Sequence, residues 1–145
     1  MIESHTQKLL QDILLRESRS VLAYVAEAYP WAPSSEEKHL KDLQNIVHAE
    51  REAVVELGRF LVRRRIPLPY LPPYPAHFTT INFLALDFLL PRLIEHERIS
   101  IADLERDRAV LKDPEAQAEV EKLLTLKRQH LRRLEELACA QPSHV

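Results

Sequence analysis

Five prolines, Pro67, Pro69, Pro72, Pro73 and Pro75, fall within nine residues of a 145-residue chain that otherwise reads as helix. Each removes a backbone donor and sets its ring against the preceding turn, so "RRRIPLPYLPPYPAHFTT" cannot be helical and is expected to be extended and polyproline-like. On both sides of it apolar residues recur three and four apart, the spacing of one helix face. The chain has one glycine, and Leu, Glu, Arg and Ala dominate it, a bias that favours helix nearly everywhere. The fold class expected is therefore all-α, cut in the middle by a crossover at about residues 64–80.

Stop and start signals divide the rest into four helices. The first should be capped by Ser4 or Thr6 and run to about Ala28 on the stripe Leu10, Leu14, Val21, Tyr24 and Ala28, ending at Pro30 and Pro33. Ser34 and Glu37 are spaced as a capping box for the second, which should reach about Arg63 on Leu40, Leu43, Val47, Val54, Leu57 and Leu61. The third should begin near Thr79 or Thr80 and carry Leu86, Leu90, Leu93, Leu104 and Leu111, with a kink at Pro91. Asp113 as cap and Pro114 at the first helical position open the fourth, which should last to about Ala138. Helices of this length span roughly 40 Å. The two short connections make antiparallel hairpins, and the long one can travel back along a bundle. The expectation is a single domain over residues 1–145, an antiparallel four-helix bundle of two helical hairpins joined by a proline-rich crossover.

Composition excludes several functions. Twenty Lys and Arg against 22 Asp and Glu give a formal charge of −2, which offers no general attraction to nucleic acid or to anionic membranes. Cys139 is the single cysteine, so no internal disulfide and no CxxC pair can form, and a reducing compartment is the default. No stretch approaches about 20 apolar residues, and the N-terminus lacks the apolar core of a signal peptide, so a cytoplasmic protein without a membrane partner is expected. "INFLALDFLL", Ile81 to Leu90, is apolar nearly all round, more than one core face requires, which points to a homodimer through the third helix. A further protein partner remains open.

The sharpest signal is charge on the apolar stripes. Heptad-spaced sets place Glu17 between Leu10 and Tyr24, Glu50 between Leu43 and Leu57, and Glu97 between Leu90 and Leu104. The fourth helix supplies Lys127 between Val120 and Leu134, and His130 between Leu123 and Leu137. Buried singly, each charge would cost several kcal/mol, so these groups should meet at mid-bundle and be paired with each other or with metal.

These residues resemble the ferritin-like superfamily, with bacterioferritin and rubrerythrin as relatives, over about Thr6 to Ala138. The family pattern is Glu on helix one, Glu-x-x-His on helix two, a long crossover, Glu on helix three and Glu-x-x-His on helix four, holding two metals. The resemblance implies that Glu17, Glu50, Glu97 and His130 are the metal ligands and that Tyr24 is a site-adjacent tyrosine. A strict 33-residue spacing back from Lys127 lands on Ile94, but Glu97, one turn along, is preferred. Two positions depart from the pattern. Ala53 stands where helix two should carry its histidine, and Lys127 where helix four should carry its bridging carboxylate. The set then suits no metal, or at most one divalent ion, Fe, Mn or Zn.

Other clusters have bland readings. Neighbouring residues on a helix diverge, so His48, Glu52, Glu95 and His96 are expected at the surface or bundle edge. His5, His39, His77 and His144 have no evident partner in sequence. Arg63, Arg64, Arg65, Arg128, Arg132 and Arg133 read as a solvated face rather than an RNA-binding strip, and "LPPYP" as a segment anchored across the bundle by Tyr70, Tyr74 and Phe78. By the resemblance, one cysteine cannot build a rubrerythrin iron site, Met1 is the only methionine for a bacterioferritin haem, and "QPSHV" leaves no fifth ferritin helix. Two functions stay open: a non-catalytic binding or scaffold protein in which Lys127 replaces metal charge, or a mononuclear metal-dependent oxidase or oxygen-handling protein using Glu17, Glu50, Glu97 and His130.

Overall fold

Helix propensity and stripe spacing are realised as an all-helical chain in a computed structural model that describes residues 2–28, 30 and 32–140, with no strand among them. Among the described residues there are five α-helices: α1 Ser4–Ser18, α2 Val21–Val25, α3 Glu37–Arg63, α4 Leu86–Val110 and α5 Pro114–Cys139. Helix α5 packs against α4 and α3, and α1 and α2 lie against both α3 and α4. Met1, His144 and the tail "QPSHV" lie outside the described residues.

The expected first helix is two. It breaks at Arg19, and the Ser20 hydroxyl accepts the Ala23 backbone N–H at 3.2 Å, starting α2 afresh. Serine side chains compete with the helical backbone in this way, and apolar spacing does not register the competition. The caps foreseen at Ser4 or Thr6 and the Ser34–Glu37 box are not made either: α1 follows Glu3 and α3 follows a 3-10 turn, Ser34–Glu36, each without a side-chain cap.

Helix α3 ends in a Schellman turn. Ile66 N–H donates to Leu61 O at 2.9 Å and Arg65 N–H to Val62 O at 3.0 Å, with Arg65 in the left-handed region at φ 59°. The chain then runs extended through the prolines. Gln11 Nε2 donates to Pro67 O at 2.7 Å, Arg19 Nε to Pro72 O at 2.5 Å, and the Arg19 guanidinium lies 4.7 Å from the Tyr74 ring centre. Phe78 is buried and Tyr74 half-buried, but Tyr70 is 81% exposed and anchors nothing.

Helix α4 starts later than Thr79 or Thr80. Both threonine hydroxyls donate back, to Ala76 O and His77 O, and so close a 3-10 segment, Ala76–Phe83, instead of capping an α-helix. Pro91 sits inside α4 near its start. Within the "INFLALDFLL" run Ile81, Leu86, Leu89 and Leu90 are turned inward and buried, and Phe88 is exposed. Asp113 caps α5 as its sequence indicates, its carboxylate accepting the Ala116 N–H at 2.9 Å, with Pro114 following.

Two apolar clusters form the core. One gathers Leu10, Ile13 and Leu14 of α1, Leu57 and Leu61 of α3, Ile101 and Leu104 of α4, and Val120 to Leu124 of α5. The other gathers α2, Leu43 to Val47 of α3, Leu86 to Ile94 of α4, and Leu134 and Leu137 of α5. Between the two contributions of α3, α4 and α5 the buried residue is charged, Glu50, Glu97 or Lys127, and buried Glu17 lies between the cluster residues of α1 and those of α2.

A lysine-centred carboxylate cluster as candidate functional site

Lys127 lies on α5 seven residues from both Val120 and Leu134, so its side chain leaves the helix on the face that carries the core. Its Nζ is 2.9 Å from Glu50 Oε1, 3.0 Å from Glu97 Oε1 and 3.3 Å from Glu17 Oε1. An ammonium has three protons, and here it meets one oxygen from each of three helices. All four side chains are nearly dry, at 3% exposure for Lys127 and 6% or less for the glutamates.

Two of the three glutamates have further partners. Glu50 Oε2 lies 2.7 Å from His130 Nδ1. Ser100 Oγ lies 2.5 Å from Glu17 Oε1 and 3.1 Å from Oε2. Glu97 Oε2 is buried with no hydrogen-bond partner among the described residues. These environments separate the acidities. Burial, then the neighbouring Glu50, pushes Glu97 up to about 10 against the pull of Lys127. Burial raises Glu50 as well, but Lys127, Glu97 and His130 outweigh it and hold Glu50 at about 2. Lys127 is raised: burial opposes its charge, and the three glutamates more than compensate. At neutral pH Glu97 is thus the neutral acid of the cluster, which suits an oxygen left without a donor.

Glu50, Glu97 and His130 each present a ligand atom within 4.8 Å of the others, so this trio could hold one metal ion. The full two-metal set of the ferritin-like pattern does not fit. Ala53 offers no imidazole and packs half-buried against the apolar core. Lys127 brings a positive charge to the oxygens that a second ion would need.

Ile94, the alternative to Glu97, belongs to the apolar core. Tyr24 is displaced by the helix break: its hydroxyl donates to Asn82 Oδ1 at 2.8 Å and its ring packs on Tyr74 and Phe78. His48, Glu52, Glu95 and His96 are exposed, as are His5 and His77. Arg64, Arg128 and Arg133 are engaged by acids, Arg64 with Asp113 and Glu115, Arg128 with Glu105 and Glu121, and Arg133 with Asp42 and Glu136. Two polar residues of this region carry no stripe anomaly obvious enough to have singled them out. Ser100 is three residues past Glu97, and buried Asp107, seven further, pairs with Arg16 Nη2 at 2.9 Å. Their spacing from Glu97 is the signal that would have found them.

Two cavities, of about 170 and 180 Å³, reach the cluster beside the α1–α2 break and share Glu17, Arg19, Ser20, Leu22 and Lys127 as walls. One continues along α3 under Leu71 and Tyr74, the other along α4 past Ser100. No helix among the described residues is long and apolar enough to cross a membrane. Compared with protein-family models, curated proteins and solved structures, the chain matches none.

Proposed function

We propose that this chain is a single-domain, ferritin-like four-helix bundle whose buried lysine takes the place of metal charge, making it a non-catalytic binding or scaffold protein. The observation that carries this reading is the ammonium of Lys127 within 3.3 Å of an oxygen of each of three buried glutamates. Oxygen activation in a two-metal site needs a bridging carboxylate at that position and a histidine at position 53, and the chain has Lys127 and Ala53 instead.

The bundle topology is supported by the order in which each helix meets the two apolar clusters. Helix α1 followed by α2, and likewise α5, enters the Leu10–Leu104 cluster first, whereas α3 and α4 enter the Leu43–Leu93 cluster first. Two hairpins of opposed helices follow, with α3 and α4 parallel and the proline segment returning between them. Ion pairs Arg98–Glu135, Glu105–Arg128 and Arg108–Glu121 descend along α5 as they ascend α4, as antiparallel neighbours require.

A second reading, one divalent ion on Glu50, Glu97 and His130, is favoured by the closeness of their ligand atoms. It requires Lys127 to leave the glutamate oxygens it holds. Metal stoichiometry of the chain purified without chelator separates the readings: zero for the lysine-filled site, one for the mononuclear site. Two metals would overturn both. Lys127→Glu with Ala53→His rebuilds the full ligand set and is expected to take up two ferrous ions; a folded double variant that takes up none would show that the ligand geometry has been misassigned.

A further inference from the structure

Outside the site, the exposed face of α3 carries a pattern that its own fold leaves unused. Glu52, Val55, Glu56, Arg59, Val62 and Arg63 recur three and four apart and so form one straight seam. All six are exposed, Val55 at 41% and Val62 at 59%. Val55, Gly58 and Val62 line a shallow groove with Leu68, itself 56% exposed. The other exposed large apolar residues of the long helices, Phe88, Ile99 and Val110, lie on α4.

The charges along this seam are ordered acid, acid, base, base. A two-fold axis crossing α3 between Leu57 and Gly58 maps Glu52 onto Arg63, Glu56 onto Arg59, and Ala53 onto Val62. That self-complementarity is what an isologous contact between two copies of one chain demands, and an unrelated partner would not require it. Within the chain these charges are weakly employed. Glu56 and Arg59 pair with each other in the open, Arg63 reaches Glu119 only at 3.9 Å, and Glu52 makes no ion pair among the described residues.

We propose that two copies of this chain associate through α3, antiparallel about a two-fold level with residues 57 and 58, with Val55, Val62 and Leu68 covered by the contact and Glu52 and Glu56 facing the second copy's Arg63 and Arg59. The contact is independent of what the Lys127 cluster holds. Sedimentation velocity on the full chain should give a dimer of the 16.9 kDa protomer at about 100 μM, the range in which even a modest interface is populated. Val62→Glu should give a monomer whose circular-dichroism melt matches that of the native chain diluted until it too is monomeric. Glu56→Arg and Arg59→Glu should each weaken dimerisation by about tenfold or more, and the two together should restore it, because the reversed charges again face their opposites. A native monomer at that concentration, a Val62→Glu variant that still dimerises, or a charge-swapped double variant no better than the singles would each overturn the proposal.

Discussion

The two apolar clusters and the charged layer between them are built from the same helices, yet they hold those helices together in different ways. Leu10, Leu43, Leu90 and Leu104 each touch several neighbours, and none depends on a particular one. Lys127 depends on three: without it Glu17 and Glu50 face each other across a dry space, and without them the ammonium is stranded. Apolar packing is a sum of many small terms, whereas a buried ion cluster is satisfied as a whole or not at all.

The largest effect that would sharpen this contrast is expected from Lys127→Met. The side chain has similar length, but the remaining negative charge is uncompensated, and a loss of about 3–5 kcal/mol in urea-unfolding free energy is expected. Adding Glu17→Gln and Glu50→Gln should recover more than half of it; a triple variant as unstable as the single one would show that shape, not charge, sets the cost. Leu104→Ala, in the apolar region, should cost about 3 kcal/mol. Combined with Leu90→Ala in the other cluster the losses should add to within about 0.5 kcal/mol, and strong coupling between them would erase the distinction drawn here. Next in size is Ser100→Ala, which removes the hydroxyl beside Glu17 and should cost about 1–2 kcal/mol in the same assay.

The smallest effect, below about 1 kcal/mol, is expected for Glu97→Gln under about pH 4.5, where an amide replaces an acid that is uncharged in folded and unfolded chain alike; at higher pH the variant should be the more stable of the two. Its signature is in pH dependence. Glu97 is raised from 4.5 to about 10, so its protonated form binds the fold, and that stability is present below pH 4.5 and lost as pH climbs toward 10. Glu50, lowered from 4.5 to about 2, acts the other way: its contribution is present above pH 4.5 and lost as pH falls toward 2. Unfolding midpoints at pH 5 and pH 9 should therefore differ in the native chain and converge in Glu97→Gln. An unchanged difference would place the high-pH loss elsewhere.

What could be read from sequence divides along the same line as the contrast in the core. Apolar period fixes helical phase over a long element, and phase put Glu17, Glu50, Glu97 and Lys127 on inward faces; it could not separate Glu97 from Ile94, which share a face and are both buried. The α5 start was legible because Asp113 and Pro114 act through bonds to their own neighbours. The misreadings are local contests between side chain and backbone. Ser20 captures the Ala23 N–H and ends one helix where the stripe runs on, and Tyr24, whose position was inferred by counting across that break, goes to Asn82 instead. Thr79 and Thr80 turn their hydroxyls backward and delay α4. Ser100 escaped notice because a small polar residue on a stripe looks like a gap in the pattern, although it lies at the correct spacing to reach Glu17.

The leucines of α5 repeat every few residues, so a helix made of them alone would find nearly equivalent seats if it slid along its neighbours by one heptad. The charged layer makes the seats unequal. A slide of seven residues would bring Val120 or Leu134 opposite Glu17, Glu50 and Glu97 and drive the ammonium into leucines, so the lysine and the two carboxylates that balance it would lose one another at once. Lys127 thus works as an index mark: whatever it adds to or subtracts from the depth of the native well, it removes the neighbouring wells in which the same helices would be packed out of step.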